Sequence, residues 1–282
     1  MRNKNFLLGL VLLFAVFLMA ACGSTSSNEG AEAPAEENNE GQAEEQASEE
    51  SSGDAYTVAT DTSFVPFESL NTETGEMEGF DIDLIKALAD EAGYEVDIQA
   101  MEFDGVIAGM QAARFDIGIA GITITEERAE TIDFSDPYYD AGLMIAVQES
   151  NNEIKSEADL AGKRVATRAG TTSENYLKEN HPDAEIVPFP GIVEAYMELI
   201  SGRVDAVMYD MPNVKYYANT EAKGKLKTVG DLLQGEQYGI AFPKGSELVE
   251  PTNEAMKVLI ENGTYDDIYE KWFGERPHGT EG

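Results

Sequence analysis

The stretch DIDLIKALADEAGYEVDI (residues 81–98) changes its periodicity at Gly93. Leu84, Ile85, Leu88 and Ala89 recur at helical spacing, so residues 81–93 read as an amphipathic helix closed by a glycine. From Tyr94 to Ile98 apolar and polar residues alternate, which is the pattern of a strand. Working outward, YTVAT (56–60) alternates again. Asp104 is placed to cap a helix that carries Val106, Ile107 and Met110 on one face, and DIGIA (116–120) is a short buried strand.

The second half repeats this rhythm. KRVATR (163–168) is a strand, followed by a turn and a helix through about Asn180. AEIVPF (184–189) is a strand, IVEAYMELISG (192–202) a helix, VDAVMYD (204–210) a strand, and Pro212 opens another helix. QYGIAF (237–242) returns to strand, and two helices, 250–262 and 264–273, follow. Such alternation predicts an α/β fold with largely parallel sheets, arranged as two lobes. In such sheets ligands bind beyond the carboxyl ends of the strands, where Asp61, Gly121, Arg168 and Asp210 fall.

The chain of 282 residues is long enough for two compact units, and 42% of it is apolar. It has 19 basic and 54 acidic residues, a net charge of −35. That charge repels nucleic-acid phosphates and anionic lipid surfaces, so no nucleic acid is expected as a partner. With one cysteine, Cys22, no internal disulfide or thiolate cluster can form. His181 and His278 stand far apart in polar contexts, so neither a metal nor a cofactor is expected.

The N-terminus reads as a processing signal. Arg2 and Lys4 precede an apolar run from Phe6 to Ala21 that is short for a membrane span. Small residues before the lone Cys22 resemble a bacterial lipoprotein cleavage site, with Met19 where leucine is commoner. Residues 1–21 are therefore expected to be a lipoprotein signal peptide. Cys22 is expected to carry the acyl chains, palmitate among them, that anchor the protein to the membrane. Residues 23–54 hold ten acids and no base and cannot bury a core, so 22–54 reads as a lipidated cysteine and a disordered acidic tether. A flexible chain of this length reaches about 30 Å. The remaining body, from Ala55 onward, has 17 basic and 44 acidic residues, a net of −27.

Several segments together carry a family resemblance: VATDTSFVPFE (58–68), GFDIDL (79–84), FDGVIAGMQAARFDIGIAGITITEERAETIDFSDPYY (103–139), VATRAGTTS (165–173), VDAVMYDMPN (204–213), QYGIAFPKGS (237–246) and ENGTYDDIYEKWFG (261–274). Over nearly all of Tyr56–Gly274 the chain resembles the bacterial polar amino acid-binding proteins, the family 3 solute-binding proteins, and within them the glutamine-binding proteins. The resemblance implies a two-lobed periplasmic-binding-protein-like fold of type II, with two hinge strands and the ligand in the interlobe cleft. Matching positions put lobe 1 at 55–137 plus 239–282, lobe 2 at 143–233, and the hinges at 138–142 and 234–238. Gly142 and Gly235 lie in the hinges, where backbone rotation accompanies closure.

The same resemblance implies the ligand site. Arg128, read locally as a helix residue behind a Thr125 cap, would clamp the ligand carboxylate through two parallel hydrogen bonds, with Thr123 beside it. Thr171 and Thr172 begin a helix after a strand, where free N–H groups bind anions. Thr172 stands where many relatives have glycine. Asp210, which otherwise caps the Pro212 helix, would pair with the ligand ammonium, helped by Thr123 and the carbonyl of Gly121. Phe64 and Phe103 would sandwich the ligand methylenes, leaving Phe67 to the core. Ala120 and Tyr209 complete the site, Tyr209 standing where close relatives have histidine. Asp61 only accepts hydrogen bonds and Arg168 only donates them. A carboxamide side chain satisfies both, which favours glutamine over acidic and basic side chains. Close relatives carry lysine where Arg168 stands.

The implied role is the substrate-binding component of an amino acid ABC importer. It would be a monomer, anchored on the outer face of the cell membrane and docking on a permease with its ATPase, and it would not be an enzyme. Three alternatives stay open. One is arginine or another basic amino acid as ligand, which Asp61 would welcome. The others are a dehydratase-like enzyme of the same fold and a sensor module.

Overall fold

The computed structural model describes residues 55–277. The candidate signal peptide, Cys22, the acidic tether and His278 lie outside the described residues.

In chain order the main elements are β1 (Tyr56–Asp61), β2 (Ser63–Phe64), β3 (Glu68–Leu70), β4 (Met77–Glu78), α1 (Phe80–Ala92), β5 (Val96–Met101), α2 (Phe103–Gln111), β6 (Ile117–Gly118), α3 (Glu126–Thr131), β7 (Ile132–Phe134) and β8 (Tyr139–Gln148). They continue as β9 (Arg164–Arg168), α4 (Thr172–Asn180), β10 (Glu185–Phe189), α5 (Ile192–Ile200), β11 (Ala206–Asp210), α6 (Met211–Asn219), β12 (Leu226–Tyr238), β13 (Ala241–Pro243), α7 (Val249–Glu261) and α8 (Thr264–Phe273).

Two five-stranded sheets carry the two lobes, in the orders β5-β1-β6-β13-β7 and β10-β9-β11-β8-β12, beside a small β2-β3-β4 sheet. Both large sheets are mixed, which corrects the expectation of largely parallel ones. The βαβ runs are parallel as expected: β1 pairs in parallel with β5 and β6, and β9 with β10 and β11. The segments that carry the chain between the sheets enter in the opposite direction. Thus β8 is antiparallel to β11 and β12, and β13 is antiparallel to β6 and β7.

The crossing segments form one ribbon. Tyr139 pairs with Tyr238, Asp140 with Gln237, and Ala141 with Glu236. Register breaks lie between Val229 and Leu233 and between Leu233 and Gly235, next to Gln234 at a φ of 37°. Residues 138–142 and 234–238 therefore lie side by side. The lengths of β8 and β12 were not legible: β8 is a nearly continuous apolar run, and β12 carries the turn signal Gly230-Asp231 in its middle.

Two local expectations are also corrected. The strand expected from Tyr94 starts at Val96, because Tyr94 N–H and Gly93 N–H both donate to the Ala89 carbonyl and close α1. Asp104 does not cap α2. The helix starts one residue earlier, and Asp104 sits in its first turn, where a carboxylate meets the positive end of the helix dipole.

The core follows the sequence periodicity. Leu84, Ile85 and Leu88 of α1 are buried with Val58 and Ile117 of the first sheet. Leu143, Ile145, Val165 and Met208 are buried together in the second. Each such side chain contributes about 1.5–3 kcal/mol. Phe67 is core as expected, packed edge-on against Tyr139, Tyr238 and Phe80 at centroid distances of 4.9, 5.4 and 5.9 Å.

Candidate functional site

The ends of the strands face one another across a crevice. It is narrow and is lined by all of Asp61, Phe64, Phe103, Ala120, Gly121, Thr123, Arg128, Arg168, Thr171, Thr172, Tyr209 and Asp210. The first sheet with its helices and loops, and β2 of the small sheet, supply Asp61 through Arg128. The second supplies Arg168 through Asp210.

Arg128 is set by α3, whose start is capped as expected: Thr125 Oγ1 accepts from the Arg128 N–H at 3.1 Å. The guanidinium donates from Nη1 to the Thr123 carbonyl at 2.9 Å. Burial holds its pKa below the ordinary arginine value, against the pull of Asp210 and Glu236. Phe103 opens α2 and lies between two cations, with the guanidinium carbons of Arg128 and Arg168 each 5.5 Å from its ring centroid. Phe64 stacks on Phe67 at 5.0 Å and meets the Tyr209 ring edge-on at 5.8 Å. Gly121 has a φ of 53°, and a Cβ there would fall 2.3 Å from Phe64 Cε1, so only glycine fits this turn.

On the opposite wall, Thr171 occupies the N-cap position of α4, but its hydroxyl donates to the Arg168 carbonyl at 2.7 Å. Thr172 is buried at the start of that helix. Asp210 occupies the N-cap position of α6 without making the cap bond. Its Oδ2 instead accepts from the Tyr238 hydroxyl. Burial, reinforced by the nearby Glu236 carboxylate, pushes the Asp210 carboxyl up to about 7.

Asp61 and Arg168, expected to accept from and donate to the ligand side chain, are bonded to each other. Arg168 is 1% exposed and Asp61 0%. Nη1 of Arg168 donates to Asp61 Oδ2, and Nη2 donates to Asp61 Oδ1 at 3.1 Å and to Glu102 Oε2 at 3.4 Å. Nε donates to the Pro190 carbonyl at 3.0 Å. The strand ends β1 and β9 meet across the crevice, and the long forked side chain spans the gap. Burial works against the guanidinium charge, but Asp61 and Tyr209 together outweigh it and the Arg168 pKa ends above its usual value.

Sequence reasoning missed Glu236. This carboxylate, 6% exposed, rises from the crossing ribbon into the same region. It accepts from Thr123 Oγ1 at 3.2 Å and Gln234 Nε2 at 2.9 Å, and it bonds the Thr172 side chain. Burial raises its pKa. The signal was alternation along QGEQY (234–238): Glu236 and Tyr238 share the buried face, while Gln237 is exposed. Among the described residues, no group of three His, Cys, Asp or Glu side chains is placed to hold a metal ion.

The chain has clear relatives. It is 37% identical over 280 residues to the ABC transporter glutamine-binding protein GlnH of Bacillus subtilis, covering 98% of this chain and 99% of that one. Among solved structures, an ancestral arginine-binding protein bound to glutamine is 45% identical with a TM-score of 0.74, covering 78% of this chain and 98% of the other. The arginine-, lysine-, histidine-binding protein ArtJ of Geobacillus stearothermophilus is 37% identical with a TM-score of 0.76, covering 80% of this chain and 97% of the other. The model of the bacterial extracellular solute-binding proteins, family 3, matches residues 56–275. With that match spanning both sheets and every residue of the crevice, the chain belongs to the bacterial extracellular solute-binding proteins of family 3.

Proposed function

We propose that this protein captures a free polar amino acid, glutamine first among them, and delivers it to the permease of an ABC importer. The observation that carries the proposal is the placing of the Arg128 guanidinium and the Asp210 carboxylate in one crevice, on opposite walls. A zwitterion has a carboxylate for the first and an ammonium for the second. Phe64 and Phe103 cover its methylenes, Gly121 and Thr123 assist the ammonium, and the Thr172 amide assists the carboxylate. Ligand landing on Arg128 favours closure, because only the closed form adds Asp210 and Thr172. We place lobe 1 at 55–137 plus 239–282, lobe 2 at 143–233, and the hinges at 138–142 and 234–238. The signal peptide, acylated Cys22 and acidic tether would hold a monomer at the outer face of the membrane.

Glutamine is supported by the Asp61–Arg168 pair, which offers a ligand side chain no net charge. A carboxamide can accept from Arg168 and donate to Asp61. A second candidate is arginine, supported by the carboxylates of Asp61 and Glu102 at that end of the crevice and by the arginine-binding relatives. Binding is favoured over dehydration chemistry because Asp61 is engaged by Arg168 and Asp210 by Tyr238. A thermal-shift panel of the standard amino acids tests the assignment. Glutamine is expected to raise the melting temperature most, and a panel in which no amino acid shifts it would overturn the proposal.

Binding should also depend on pH through Asp210. Its raised pKa stabilises the ligand-free protein at acid pH, and this is lost as pH rises through about 7. An ammonium needs the ionised form. Affinity for glutamine is therefore expected to fall as pH is lowered through about 7, by up to about tenfold per pH unit. Asp210→Asn should bind weakly at every pH and lose this slope, as isothermal titration across neutrality would register.

A further inference from the structure

Behind the Gly121 turn, away from the crevice, lie two acids that the binding proposal does not use. Glu68 opens β3 and Asp81 is the second residue of α1, and both are 0% exposed. Asp81 Oδ2 is fully engaged: it accepts from the Gly121 N–H at 2.9 Å and from the Tyr138 hydroxyl at 2.8 Å. Asp81 Oδ1 and both carboxyl oxygens of Glu68 are buried and lack any other donor. The two side chains lie within hydrogen-bonding reach of each other. Two ionised carboxylates in dry surroundings would repel, with no donor between them. One proton resolves this, and it sits better on Glu68, because an ionised Asp81 is the stronger acceptor for the two donors already on its Oδ2, the Gly121 N–H and the Tyr138 hydroxyl.

We propose that Glu68 is a protonated positioning residue. Its carboxyl O–H donates to Asp81 Oδ1 and holds Asp81 as the ionised anchor that ties the Gly121 turn in the binding crevice to Tyr138, beside the crossing ribbon. The electrostatics agree. Burial, then Asp81 and Asp61, hold the Glu68 carboxyl well above the usual range. Burial lifts Asp81 to about 6, opposed by the Gly121 N–H, the Tyr138 hydroxyl and Glu68. Arg168 contributes only a weaker opposing pull on Glu68. Asp81 also lies in the first turn of α1, where the helix dipole favours its negative charge. The arrangement places the turn and the start of the ribbon in one rigid unit. Tyr138 extends that unit, because its carbonyl accepts from the Tyr265 hydroxyl of α8 at 2.6 Å.

Three measurements on the full folded protein test this. In infrared difference spectra at neutral pH, wild type should show a carboxylic-acid C=O band that disappears in Glu68→Gln. If no acid band is lost, the proposal is overturned. In ¹H–¹⁵N spectra, the Gly121 amide should keep its shift in Glu68→Gln, whose amide still donates to Asp81, and move in Glu68→Met, which cannot donate. An unmoved Gly121 amide in Glu68→Met overturns it too. Glutamine affinity should stay within about threefold of wild type in Glu68→Gln and fall by about tenfold or more in Glu68→Met. Equal affinity of the two variants would refute the positioning role. This last measurement rests on the amino acid-binding proposal. The first two need no ligand, so they decide the proton's location even if glutamine is not the ligand. Glu68→Gln preserves shape, so the infrared result stands even if Glu68→Met does not fold.

Discussion

Arg128→Ala is expected to abolish the glutamine-induced thermal shift and to weaken binding by about 2–5 kcal/mol, roughly 30- to 5,000-fold. The loss is large because the variant leaves a ligand carboxylate buried with no cation against it. In the proposed binding mode the carboxylate sits in a dry site on a planar fork, and neither Thr123 nor the Thr172 amide can replace a full charge. The ligand-free protein should tolerate the change far better. Arg128 is itself held in the charged form against burial, and its guanidinium donates a hydrogen bond to the Thr123 carbonyl. Removing it also leaves Asp210 and Glu236 closer to neutral. A melting temperature near that of wild type, with no response to glutamine, is therefore the expected pair of results. A variant that still responded would place the carboxylate site elsewhere.

Arg168→Met is expected to have the second-largest effect, and of a different kind. Asp61 is fully buried and its partner is Arg168. Removing one member of a buried pair costs about 3–5 kcal/mol when the other stays charged. The melting temperature should therefore fall. A ligand that brings its own cation to Asp61 should restore what was lost. Arginine should therefore stabilise the variant more than it stabilises wild type, and glutamine less. Thermal shifts with both amino acids across neutral pH would show this exchange. If arginine gained nothing, Arg168 would not be what keeps basic side chains out. Arg168 is joined to Asp61 on the opposite wall.

Much of the fold was legible from periodicity. The α1 face, its Gly93 ending and the βαβ runs appear where the spacing put them. What escaped was decided by long-range pairing. Strands β8 and β12 are defined by each other, and neither carries a local signal strong enough to announce its length. Asp61, Gly121, Arg168 and Asp210 were legible as strand ends, but Arg128 and the rest of the crevice only through family likeness, because an arginine after a threonine cap reads locally as ordinary helix surface. The Asp61–Arg168 pair was not foreseen, since two residues 107 apart in sequence reveal nothing of their contact. Glu236 and Glu68 escaped for a related reason. A carboxylate in an alternating strand reads as solvent-facing unless its neighbours are known, and those neighbours come from distant segments.

The crossing segments have a mechanical consequence. Two independent cords would let the halves twist, slide and rock. Here the cords are stitched by backbone hydrogen bonds from Tyr139–Tyr238 to Ala141–Glu236, so they behave as a strap that is stiff along its width and compliant across its thickness. Such a strap permits essentially one mode of movement, a flexing perpendicular to its plane. Under the proposed closure, a partner that sensed the angle of that flexing would sense occupancy, with a single coordinate carrying the message.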